Sequence, residues 1–88
     1  MSLIEAAPAG ALMRPMLNGK SLGIIESNPE QAFSYWAGRA RNGVLMAERA
    51  GERRPRVYTL QRVAWCRHRN DYVPSVDYRF VDGEWRAV

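Results

Sequence analysis

Two dipeptides constrain this chain more than any other feature: Asn18-Gly19 near its start and Asp82-Gly83 near its end, each set between apolar runs. Both residues of an Asx-Gly pair tolerate the positive φ that a type I′ turn requires, so each marks a two-residue antiparallel hairpin. Around the second turn, Val81 pairs with Glu84, Phe80 with Trp85 and Tyr78 with Ala87. Val76, Tyr78, Phe80, Trp85 and Ala87 then share one face, and Asp77, Arg79, Glu84 and Arg86 the other. Around the first, Leu12–Leu17 and Lys20–Ile25 flank the turn. Pro15 cannot donate to a ladder, which puts the first of these strands at an edge. A chain opened and closed by hairpins folds around an antiparallel sheet.

Between the hairpins lies one helix signal. Asn28 can cap, Pro29 suits the first helical position, Glu30 favours the positive end of the helix dipole, and Gln31 completes a capping-box spacing. Ala32, Phe33, Trp36, Ala37 and Ala40 follow at helical spacing. Gly43 after Asn42 supplies a stop. The expected helix covers 29–42, about 21 Å of axis. Val44–Ala47 reads as a short strand and Glu48–Arg56, with Gly51 and Pro55, as a polar loop.

Val57–His68 has strand composition but an awkward length. Twelve residues would extend about 40 Å, against a diameter of roughly 30 Å for a domain of this size. The strand must bend, bulge or overhang. A helix over Thr59–Arg67 is the alternative, because Leu60, Val63, Ala64 and Arg67 also fit a 3.6 period. The expected fold is α+β: a single antiparallel sheet of four to six strands with one helix, about 29–42, packed on one face. Residues 1–10 form a flexible lead-in and 11–88 a single domain. The expected core contains Ile24, Phe33, Trp36, Ala37, Leu45, Leu60, Tyr78, Phe80 and Trp85.

Catalytic motifs are sparse. Cys66 is the only cysteine and His68 the only histidine. No intramolecular disulfide and no cysteine cluster for zinc can form. Two apart on a strand, Cys66 and His68 point the same way, yet no helix N-terminus or oxyanion donor accompanies them, and a half-buried thiol beside a surface imidazole is the preferred reading. Glu26 and Glu30 straddle the helix start, where capping and dipole account for Glu30. Glycine-rich phosphate loops, H-E-x-x-H and G-x-S-x-G are absent from the sequence. The expectation is a protein that is not an enzyme and needs neither metal nor cofactor.

Location is read from the same residues. Met1–Met16 is superficially like a signal peptide, but it lacks a basic start, and Glu5 and Pro8 interrupt its apolar run. No stretch nears the roughly 20 apolar residues of a membrane span. A reducing cytoplasm is the expected setting, with no membrane partner.

What remains is arginine interleaved with aromatics. The formal charge is +4, and Lys20 is the only lysine among 13 basic residues. Arginine suits phosphate forks, carboxylate pairs and aromatic stacking, although a GC-rich coding sequence gives the same skew. Unbroken alternation on the long strand would expose Val63, Trp65, Arg67 and Arg69 as a stripe, a hot-spot or stacking arrangement. A bulge near Gln61–Arg62 would switch the phase and bury Trp65. Burial is preferred here, because tryptophan carries a large apolar area and the strand needs a bend. The Arg49–Arg56 loop is a second candidate surface, partly neutralised by Glu48 and Glu52. The candidate partner-binding residues are Arg53, Arg54, Arg56, Arg67, Arg69 and Tyr72, acting on acidic patches of a protein or nucleoprotein complex. The alternative is a small nucleic-acid-binding module whose arginines contact backbone phosphates.

The order of strand hairpin, capped helix and antiparallel set ending in Asp82-Gly83-Glu84-Trp85 resembles that of small phage-encoded inhibitors of bacterial defence complexes, the anti-CRISPR proteins. The resemblance is architectural, covers residues 20–88, and transfers no functional residue to any position. It implies a non-enzymatic inhibitor, acting in the host cytoplasm if phage-encoded, that occupies the surface of a nucleoprotein machine.

Overall fold

A computed structural model describes residues 10–88. The lead-in expected over 1–10 lies, apart from Gly10, outside the described residues. The elements are β1 (Leu12–Leu17), β2 (Lys20–Ser21), α1 (Pro29–Arg49), β3 (Tyr58–Cys66), β4 (Asp71–Val81) and β5 (Glu84–Ala87). The strands form one antiparallel sheet in the order β2-β1-β3-β4-β5, with the helix on one face. The fold is α+β.

Both Asx-Gly turns form where the sequence places them. Asn18 and Gly19 have φ of 51° and 80°, and Asp82 and Gly83 have φ of 52° and 83°. The C-terminal pairs are those read from the turn: Val81 with Glu84, Phe80 with Trp85, Tyr78 with Ala87. Asn18 also clamps the chain that enters β3. Its backbone N–H donates to the Val57 carbonyl, and its Oδ1 accepts from the Val57 N–H, both at 2.8 Å. The first turn thereby fixes where β3 begins.

The second strand is shorter than the sequence implied. β2 ends at Ser21, whose Oγ accepts from the Gly23 N–H. Gly23 takes a φ of 80° and turns the chain off the ladder. It returns only at Glu26, which exchanges two backbone hydrogen bonds of 2.8 Å with Met13. Ile24, expected in the core, is 45% exposed as a result. β1 is not an edge strand either. Pro15 is tolerated because its ring nitrogen faces the interrupted β2 side, between the Met13–Glu26 bridge and the bond from the Leu22 N–H to the Pro15 carbonyl.

The helix begins as expected, with the Asn28 Oδ1 accepting from the Gln31 N–H at 3.2 Å and Pro29 in the first turn. It does not stop at Gly43. The buried series Trp36, Ala40, Gly43 and Ala47 carries the same stripe onward, so the strand expected at Val44–Ala47 and the start of the 48–56 loop are both helix. Leu45, expected in the core, lies on the outer side, 50% exposed. Gly43 is a packing position: a Cβ there would overlap the Tyr58 hydroxyl. The true stop is Gly51, at φ 68°, with Glu52 N–H bonded to the Ala47 carbonyl (3.0 Å) and Gly51 N–H to that of Glu48 (3.1 Å). This is the Schellman arrangement that satisfies the last carbonyls.

The core lies between α1 and the sheet. Phe33, Trp36, Ala37, Leu60, Tyr78 and Trp85 are buried there as expected, with Phe80 packed at the border, joined by Met13, Tyr58, Ala32 and Ala40. Phe33 meets Tyr78 edge-on at 5.0 Å, and the Trp85 indole N–H donates to the Phe33 carbonyl at 2.9 Å. That bond ties the last hairpin to the helix.

Residues 59–66 are strand, which settles the helical alternative against itself. A bulge does occur near Arg62, but its extra residue is Ser75 on β4: Arg62 pairs with Val76 and Val63 with Pro74. The Ser75 hydroxyl donates to the Arg62 carbonyl at 3.3 Å. Alternation along β3 is unbroken, and Trp65 is 52% exposed rather than buried.

Candidate functional site

β1 ends at Leu12, opposite Val63, and β5 reaches only as far as Tyr78. Beyond those limits, among the described residues, Ala64–Cys66 and Asp71–Val73 pair only with each other, as a two-stranded ribbon closed by the turn at 67–70. Among the described residues, neither the helix nor a third strand covers it. Ala64, on the same face of β3 as the buried Leu60, is exposed, and so is Trp65 on the other. The molecule measures 43 × 29 × 19 Å. Its long axis exceeds the expected diameter, in keeping with an overhanging strand.

On the face away from the helix, register brings Leu12, Val63 and Pro74 into one row, with Trp65 and Tyr72 in the next. Val63 is buried on this face, at 4% exposure, outside the helix-side core. The Trp65 and Tyr72 rings are 5.1 Å apart at 76°, edge to face. Asn70 takes a φ of 51° in the turn, and the Asp71 carboxylate accepts from the Tyr72 N–H at 2.7 Å, so the acidic group nearest the tip is engaged locally. Arg67, His68 and Arg69 are exposed on the turn. Neither arginine forms an ion pair among the described residues.

Arg53, Arg54 and Arg56 lie at the other end. They precede β3, whereas Arg67, Arg69 and Tyr72 follow its far end, and nine strand residues separate the two groups by about 30 Å. The six candidate residues therefore form two surfaces rather than one. Arg53 and Arg54 are exposed, close to the helix C-terminus, where positive charge is favourable without any ligand. Arg56 is bound internally: two bonds of 3.1 and 2.7 Å join its guanidinium to the Glu52 carboxylate. The hydrogen bond from Arg56 holds the Glu52 carboxyl below its ordinary range. Glu52, and after it Tyr58, raises the guanidinium's pKa in turn.

Sequence reasoning named Arg67 and Arg69, at the far end of the long strand, and Tyr72 as partner contacts, without the ribbon that brings them together, and preferred to bury Trp65, the residue at its centre. The signal that could have corrected this is Val73-Pro74-Ser75, a proline beside a small polar residue, where an extra residue fits best on an unpaired edge. Cys66 is a partly exposed free thiol. Among the described residues, no three His, Cys, Asp or Glu side chains are placed to hold a metal ion, and no helix is long and apolar enough to cross a membrane. Compared with known proteins, the chain matches no family model, no curated protein and no solved structure.

Proposed function

We propose that this is a non-enzymatic binding protein that docks its β3–β4 ribbon onto a larger protein or nucleoprotein complex and blocks it. One observation carries the reading: Trp65, half exposed, stands with Tyr72 on a ribbon that, among the described residues, neither the helix nor a third strand covers, beside two arginines that form no ion pair there. Trp, Tyr and Arg are the residues that dominate binding energy at protein interfaces. The edge-to-face packing of the two rings favours a protein partner over single-stranded nucleic acid. The ring planes stand at 76°, so the pair does not offer parallel faces for successive bases. A bacterial defence complex of the kind that anti-CRISPR proteins block is one target class within this reading, and a reducing cytoplasm suits the free Cys66 thiol.

The test is an affinity pull-down from host cells with wild-type protein, with Trp65→Ala/Arg67→Ala and with Arg53→Ala/Arg54→Ala, each checked for folding by circular dichroism. Partners lost with the ribbon variant and kept with the loop variant are expected. Binding to random-sequence duplex and single-stranded DNA across a salt series decides the other way. Micromolar affinity with log K falling at a slope of about −4.5, the value for five neutralised phosphates, would replace this reading with phosphate recognition.

A further inference from the structure

We infer that the outer edge of the ribbon is closed to strand addition, so that neither a second copy of this chain nor a partner's strand extends the sheet there. Contact with a partner then falls to the side chains of the Trp65–Tyr72 face. That second step rests on the docking reading above, whereas the closed edge stands without it.

The strands that border the sheet are unequal. β2 has two residues, one of them Lys20, and β5 has four. Strands this short and charged offer little to pair with. β4 has eleven residues, and β5 pairs with its last part alone. The final bond on that side runs from the Val88 N–H to the Asp77 carbonyl at 2.9 Å. From Asp71 to Val76, no strand lies outside β4 among the described residues. Such an edge is a ready template for another strand.

Its donors, however, are withdrawn. The Tyr72 N–H is spent on the Asp71 carboxylate, at 2.7 Å. Alternate residues of an antiparallel strand direct their backbone groups to the same side, so position 74 shares the edge with position 72. Pro74 has no N–H to offer there, and its place on the outward side costs the β3–β4 ladder nothing. Ser75 follows as the extra residue between the Val63–Pro74 and Arg62–Val76 pairs, held by the bond from its hydroxyl to the Arg62 carbonyl. A bulge bends and twists the edge away from a flat neighbour. Acid cap, proline and bulge thus succeed one another within Asp71–Ser75. Carbonyls remain, but they supply one half of a ladder that needs donors from both strands.

The test opens the edge with Asp71→Ala/Pro74→Val, alone and with Ser75 deleted. All three positions are exposed, and circular dichroism with hydrogen exchange at Leu60 and Tyr78 verifies the fold. Wild type should sediment as a monomer from micromolar to millimolar concentration. The substituted protein should self-associate at least about tenfold more tightly, because each restored donor is used twice in a symmetric pair. Exchange at amides 72 and 74 should slow as its concentration rises, and the deletion should strengthen both effects. Variants as monomeric as wild type would overturn the inference. Wild-type self-association that protects the Tyr72 amide would do the same, as would variant association that slows exchange elsewhere and not at 72 and 74. Trp65→Ala/Arg67→Ala leaves this edge intact. Retention of every partner by that variant would overturn the docking reading and the second step with it, while the sedimentation result decides the edge separately.

Discussion

β3 passes through two environments without changing its conformation. At its Tyr58 end it lies between β1 and β4 beneath the helix, and Tyr58 and Leu60 are buried in the main core. At its Cys66 end the alternation is the same, yet Ala64 and Trp65 are exposed because β1 and the helix have ended. The three tryptophans show the consequence: Trp36 and Trp85 are 5% and 7% exposed, and Trp65 is 52%. Side-chain chemistry is equal in the three cases. What differs is whether a second layer is present, which is a property of where neighbouring elements stop.

The sharpest way to break this comparison is truncation at both ends. Trp36→Ala should cost about 3–5 kcal/mol, close to the whole stability of a domain this small. Trp65→Ala should cost within about 0.5 kcal/mol. Urea denaturation followed by far-ultraviolet circular dichroism measures both. A Trp65→Ala loss as large as that of Trp36→Ala would mean that the ribbon belongs to the folding core and is not a free surface.

Two glycines in one helix sharpen it further. A Cβ at Gly38 meets nothing within 4 Å, whereas one at Gly43 overlaps the Tyr58 ring. Helix propensity favours alanine over glycine by about 1 kcal/mol at either position, and overpacking costs about 1–3 kcal/mol. Gly38→Ala should therefore stabilise the protein, and Gly43→Ala should destabilise it. Stabilisation by both would show that the helix does not approach β3 so closely.

Those glycines also show where the sequence could be read and where it could not. Both Asx-Gly turns, the Asn28 cap and most of the helix-side core were legible, because local chemistry and periodicity agree at each. Gly43 was misread as a stop because glycine after asparagine ends helices by local preference. Its reason for being there, the ring of Tyr58, lies fifteen positions away on another element. Ile24 and Leu45 failed likewise: their apolarity was visible, but Gly23 and the extended helix turned them outward. At the ribbon, an expected bulge fell on the partner strand, and one residue in Ser75 rather than in Gln61–Arg62 decides the fate of Trp65. Register between strands is a pairwise property, and a single strand's pattern does not contain it.

The helix cap offers an intermediate effect. Asn28→Ala removes the acceptor for the Gln31 N–H and should cost about 1 kcal/mol. The loss should appear at the covered end alone. Hydrogen exchange should quicken in the first turn of α1, while amides of the ribbon, held by its own ladder, keep their rates. Uniform acceleration across both regions would show that the two ends open together.

The smallest effect concerns the arginines that divide between the ends. Arg56 is neutralised by Glu52, whereas Arg67 and Arg69 are not paired among the described residues. Glu52 has its carboxyl pKa depressed from an ordinary 4.5 by the hydrogen bond from Arg56. A group depressed on folding stabilises the native state at pH above its unfolded value, and that contribution disappears as pH falls through the folded value. Wild type should therefore exceed Glu52→Gln in stability at neutral pH, and the gap should close below about pH 4.5 as the Glu52 carboxylate is protonated and becomes uncharged like the carboxamide. Because the pair is solvent-exposed, the gap should also shrink in high salt. Arg67→Gln and Arg69→Gln, lacking a carboxylate to lose, should show no such pH-dependent gap. A matching acid-linked loss in either variant would place a carboxylate against the ribbon tip and contradict the free arginines on which docking rests.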